Sequence, residues 1–101
     1  MKSYKRIVAV EKATRILKHL ANQKAPVSAP AIAEAIKLPL PTVMCHLVTL
    51  EEAGFVQSIT DHWKLGLGLG LLRHKIIAGL EAERARISRD IQELEEAERG
   101  E

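Results

Sequence analysis

Residues 41 to 56 read P-T-V-M-C-H-L-V-T-L-E-E-A-G-F-V, and three apolar positions in this stretch decide the fold. Val43, Leu47 and Leu50 recur at helical spacing, so a helix here buries one face and leaves the other open. Gly54 supplies the turn that ends it, and Phe55 and Val56 then begin an extended run. The stretch reads as the second helix of a helix-turn-helix, with scaffold before it and a hairpin after it.

Upstream, Lys37-Leu38-Pro39-Leu40 is the turn: Pro39 pushes Leu38 out of the helical region, and Pro41 starts the next helix. The preceding helix spans Ala29 to Ile36, with Ile32, Ala33 and Ile36 buried. Ser28 caps it, Pro30 fits its first turn, and its alanines allow close packing. Gln23 to Val27 is a loop. A first helix from Val8 to Asn22 carries Val10, Ala13, Ile16, Leu17 and Leu20 as its apolar stripe, with Lys12, Arg15, His19 and Asn22 on the other side. Before it, Lys2 to Arg6 forms a short basic arm.

Downstream, Phe55 to Ile59 and Trp63 to Gly66 flank the polar turn Thr60-Asp61-His62. They read as a hairpin, although the turn lacks an Asn-Gly pair. The run L-G-L-G-L-G-L-L has neither dinucleotide-binding nor Walker spacing, so it is the exit from the hairpin into a helix. From Leu69 onward no proline interrupts. Ile77, Leu80, Ile87, Ile91 and Leu94 fill five of six successive seam positions, Arg84 holding the sixth, so a long helix with a coiled-coil seam is expected. The alternative is a helix folded back on its own domain.

The fold class is therefore mainly α with a small β-hairpin wing: a winged helix-turn-helix followed by a long C-terminal helix. Residues 1–7 are a basic arm, 8–66 the winged domain and 67–101 a linker and dimerisation helix.

Composition narrows the function. A chain of 101 residues with 47% hydrophobic and 28% charged residues and one cysteine excludes a disulfide scaffold. Without an apolar run of about 18 residues or a secretory h-region, a cytoplasmic protein is expected. Three aromatic residues form no stacking platform for single strands. The net charge of +2 is uneven. Residues 1 to 80 hold eleven Lys or Arg against five Asp or Glu, whereas residues 81 to 101 hold four against eight. A polyanion would meet the basic part.

In order, V-E-K-A-T-R-I-L-K-H-L, P-V-S-A-P-A-I-A-E-A-I-K-L-P, P-T-V-M-C-H-L-V-T-L-E-E-A-G-F-V and W-K-L-G-L resemble the N-terminal winged-helix domain of the IclR (isocitrate lyase regulator) family of bacterial transcription factors. The resemblance covers residues 8 to 72. It implies a dimeric regulator with its third helix in the major groove of double-stranded DNA, a basic arm near the minor groove and a linker helix pairing the subunits. Family members usually continue into an effector-sensing domain; with the sequence ending at Glu101, no small-molecule effector domain is expected.

Three features depart from the family pattern. Lys37 replaces a glycine, a cost of about 1 kcal/mol in a left-handed conformation. Pro41, Thr42 and Cys45 stand where the family usually has a Ser-Thr pair and an arginine, and His46 replaces an apolar residue. With Val43, Leu47 and Leu50 turned inward, the outward face holds Pro41, Thr42, Cys45, Val48, Thr49 and Glu52 and no positive charge. Met44 on the flank reads as core filler. Arginine reads guanine, whereas threonine and apolar groups meet thymine methyls, so weak discrimination or an A·T bias is expected.

The candidate DNA-binding residues are Lys5, Arg6, Lys12, Arg15, Ser28, Pro41, Thr42, Cys45, Thr49 and Lys64; the dimerisation residues are Ile77, Leu80, Ile87, Ile91 and Leu94. Cys45 has no second cysteine to resolve it as a redox sensor. The four histidines show no metal spacing, and no catalytic set is legible, so neither cofactor nor enzyme is expected. Two readings stay open: a homodimeric DNA-binding regulator, or a winged helix that has lost specific readout and binds a protein.

Overall fold

The apolar stripe of residues 8 to 21 becomes helix α1 (Val8–Ala21) in a computed structural model, which describes residues 3–100. Met1 and Lys2 of the arm and Glu101 of the C-terminal segment lie outside the described residues. Glu11 sits in the first turn of α1 and Lys18 and His19 in the last, each on the side that the helix dipole favours. Ile16 and Leu20 are buried and Ala13 and Leu17 pack beside them. Val10, expected in that stripe, is instead 57% exposed, because the core lies against the second half of α1.

Helix α2 (Ala29–Ile36) begins where Ser28 Oγ accepts the Ala31 amide at 3.3 Å, the predicted cap. It ends at Lys37, which is left-handed at φ 61° and ψ 47°. The strain anticipated for a non-glycine residue there is present. Helix α3 (Leu40–Glu52) starts one residue earlier than expected, since Pro39 is its N-cap and Pro41 lies in its first turn. The axes of α2 and α3 are bent by 114° about this turn, within the range of helix-turn-helix units. Val43, Leu47 and Leu50 are buried as their spacing requires.

Strands β2 (Val56–Ile59) and β3 (His62–Leu65) form the hairpin. Thr60 and Asp61 both have positive φ, 48° and 62°, so the turn has two residues of the kind that suits strand twist even without Asn-Gly. His62, expected in the turn, is the first residue of β3. A further strand, β1 (Val27–Ser28), replaces part of the expected loop. Val27 pairs with Trp63 and Ser28 with His62, giving sheet order β1-β3-β2. Trp63 and Val56 turn inward onto Ile16, Ile32, Val43 and Leu47, the centre of the core.

Gly54, at φ 81°, ends α3, and the chain returns over it: the Gly66 amide donates to Phe55 O at 2.8 Å and the Gly68 amide to Gly54 O at 2.9 Å. A Cβ on Gly66 would collide with Gly54 O, and one on Gly68 would stand 2.6 Å from it. The glycine run is thus a close backbone crossing leading into helix α4 (Gly68–Arg99).

The chain divides into two units, one ending at Leu69 and the other beginning at Gly70. Among the described residues the second is helical with none buried; Leu80, Ile87, Ile91 and Leu94 are between 48% and 72% exposed, while Ile77 is half-buried. Among the described residues no single helix is long and apolar enough to cross a membrane.

Candidate nucleic-acid interface

The outer side of α3 has two flanks with different neighbours. On the flank toward α1, Cys45, His46 and Thr49 line a groove of about 470 Å³ together with Ala9, Val10 and Ala13 of α1. On the other flank, Leu40 and Met44 line a hollow of about 280 Å³ with Pro30 of α2 and Ser58, Asp61 and Trp63 of the wing. Met44 is 37% exposed in this hollow, not buried filler. The reason is angular: one residue is about 100° of helix, and Met44 lies on the side where the wing, not α1, is the neighbour.

Hydrogen bonds hold both flanks in place. Glu51 Oε2 accepts from the Ser58 hydroxyl at 2.8 Å and the Ser58 amide at 3.3 Å, tying α3 to the wing. His46 approaches Thr42 O at 2.8 Å through Nδ1 and Ala9 O at 3.2 Å through Nε2, joining α3 to α1. Carbonyl oxygens only accept, so a neutral imidazole donates to one of them and an imidazolium to both. The Thr49 hydroxyl donates to Cys45 O at 2.8 Å and is occupied within its own helix.

The candidate site residues fall into separate groups. Pro41, Thr42, Cys45 and Thr49 share α3; Pro41, Cys45 and Thr49 are exposed and Thr42 is half-buried. Ser28 is half-buried and committed to capping α2. Lys5 and Arg6 lie exposed on the non-helical segment before α1, Arg6 standing 3.9 Å from Glu11 with both side chains largely in solvent. Such a pair contributes little to stability. Lys12 is half-buried, and the Arg15 guanidinium donates to Ile36 O. Lys64 lines a hollow with Lys24, Pro26 and Leu20, a set that includes no residue of α3. Among the described residues no three His, Cys, Asp or Glu converge as metal ligands.

Leu40, Met44, Val48 and Lys37 were not among the candidates read from sequence. The first three are spaced four residues apart and are 41%, 37% and 49% exposed, a row along α3 that the spacing alone contains. Lys37 is exposed in the turn before α3, left-handed at φ 61°, and is a cation beside the helix.

This three-helix core with a β wing is a winged helix-turn-helix, the class whose third helix is offered to a duplex. The model of the IclR helix-turn-helix domain matches residues 9–59, half of the chain, and the chain belongs to that family, an IclR-type family of DNA-binding domains of transcriptional regulators. Among solved structures, an IclR transcriptional regulator from Alicyclobacillus acidocaldarius aligns at 29% identity and TM-score 0.59 over 61% of this chain and 26% of that one. HmgR from Pseudomonas aeruginosa aligns at 31% identity and TM-score 0.55, covering 75% and 30%. An IclR family regulator from Brucella abortus, at 20% identity and TM-score 0.64 over 70% and 28%, shares the fold. The chain thus spans between a quarter and a third of the length of these relatives. No curated protein matches it.

Proposed function

We propose that the protein is a sequence-dependent, double-stranded DNA-binding transcriptional regulator that acts as a homodimer. The observation that carries this reading is the placement of α3, its outer side open and flanked by α1 on one side and by the wing on the other. The unit that holds it has nine Lys or Arg against five Asp or Glu. Lys5, Arg6, Lys12 and Lys37 supply phosphate contacts, and α3 supplies base contacts. The exposed seam of α4 pairs two copies, since its leucine and isoleucine side chains otherwise remain in water.

One observation favours a second reading: α3 contains no Lys or Arg, and Cys45 stands where the resemblance implies an arginine. A winged helix without that group fits a module that binds a protein. Titration of random and genomic duplexes at two salt concentrations separates the two. A regulator binds with an affinity that falls steeply with salt and selects a dyad-symmetric site. An interaction module binds no duplex even at low salt.

A further inference from the structure

We infer that Leu40, Met44 and Val48 form an apolar reading ridge for C5-methyl groups of pyrimidines in the major groove, thymine being the ordinary source. The inference rests on the DNA-binding reading above and names what α3 recognises.

The ridge is an exposed i, i+4 row on one flank of α3, with Leu40 at 41%, Met44 at 37% and Val48 at 49% exposure. These side chains stay largely out of the core, to which α3 contributes Val43, Leu47 and Leu50 from the adjoining face. Leu40 and Met44 face the hollow that Pro30 and the wing residues Ser58 and Asp61 enclose. The Asp61 carboxylate at this edge repels phosphate, so the hollow accommodates base edges in preference to backbone. The duplex offers one apolar group in its major groove, the pyrimidine C5-methyl. Four residues of helix advance about 6 Å, so the ridge is about 12 Å long and spans three to four base steps of about 3.4 Å.

The competing row has a different neighbour. Cys45 and Thr49 line the groove toward α1, away from the wing, and the Thr49 hydroxyl donates to Cys45 O. The A·T bias expected from Thr42, Cys45 and Thr49 therefore passes to side chains one position away around the helix, and its chemistry becomes methyl contact.

The test uses the full chain. A preferred duplex is selected from a random pool, and affinity is then measured on that duplex and on versions with uracil for thymine, with C·G for the same T·A pairs, and with 5-methylcytosine in those pairs. Removing the methyls by uracil is expected to weaken binding about fourfold for each methyl under the ridge, the scale of one buried methyl. 5-Methylcytosine is expected to regain that factor over cytosine. Met44→Gln, at a position 37% exposed, should reduce both differences by the factor of the methyl that Met44 covers, and Val48→Asn, the second variant, by that of its own.

Equal affinity for thymine and uracil duplexes overturns the ridge and leaves DNA binding standing. A preference for T·A over C·G that persists in the uracil duplex, with no gain from 5-methylcytosine, assigns the bias to A·T geometry and also overturns it. Failure to bind any duplex at low salt removes the underlying reading as well and gives the face to a protein partner.

Discussion

The guanidinium of Arg15, in the middle of α1, donates to the carbonyl oxygen of Ile36, the last residue of α2. That carbonyl belongs to the last turn of α2, where helix acceptors have no partner in the next turn, and Lys37 follows it in a left-handed conformation. Arg15 thereby fastens the end of α2, and with it the start of the turn that aims α3, to the scaffold helix. A charge that reads in the sequence as a phosphate contact is engaged inside the domain.

Replacing Arg15 by alanine should therefore act on stability. A hydrogen bond from a charged donor contributes about 1.5–3 kcal/mol, and partial exposure places this one near the lower end. Urea unfolding of Arg15→Ala should show that loss, and Arg15→Lys, which keeps the charge without the fork, should recover only part of it. Unchanged stability together with a shallower salt dependence of DNA binding would return Arg15 to the phosphates.

Lys5 and Arg6 are the converse case, exposed and, among the described residues, without a buried partner. Their joint replacement by alanine should leave the unfolding midpoint unchanged and weaken binding to every duplex by a similar factor. The slope of log affinity against log salt should fall by about two, one for each phosphate that the pair no longer neutralises. Weakening confined to one sequence would show instead that the segment reads bases.

The three glycines 66, 68 and 70 look alike in the sequence and should behave differently. Gly66→Ala and Gly68→Ala place a methyl group against the backbone of Gly54, and overpacking of this kind costs about 1–3 kcal/mol or more. Gly70 has open space around its Cβ position and lies in helix, so Gly70→Ala should gain about 0.5–1 kcal/mol. Denaturant titrations of the three variants decide it, and equal effects at all three positions would refute the crossing.

The seam of α4 should govern assembly. Ile87→Lys combined with Ile91→Lys places charge in the middle of the exposed apolar row, and sedimentation should then report a monomer with a folded winged domain. DNA affinity should fall with it, because two half-sites are no longer linked. A dimer that survives both substitutions would move the interface off α4.

The legible part of the molecule is the part coded by neighbours in sequence. Apolar residues at three- and four-residue intervals predicted α1, α2 and α3 to within a residue or two. Ser28 marked the start of α2, and Pro39 and Gly54 marked the breaks, because caps and backbone preferences act across one turn of helix. The hairpin was readable from two short runs around Thr60 and Asp61. The family resemblance rested on the same local signals in their order, and the match over residues 9–59 agrees with it.

Contacts between distant residues were another matter. Two residues, Val27 and Ser28, are too short a run to declare a strand, and only pairing with Trp63 and His62 makes them one. Val10 has the periodicity of a core residue but reaches no core, since burial depends on which half of α1 the other helices cross. The partner of Arg15 lies 21 residues away. Above all, the helical wheel separates inside from outside on α3 but cannot tell its two open flanks apart. Local signals along the chain set which helices form, where they stop and which face of α3 stays out of the core. The tertiary structure decided that Leu40 and Met44, not Cys45 and Thr49, share their flank with the wing, because a flank is defined by what packs beside it and no local propensity carries that information.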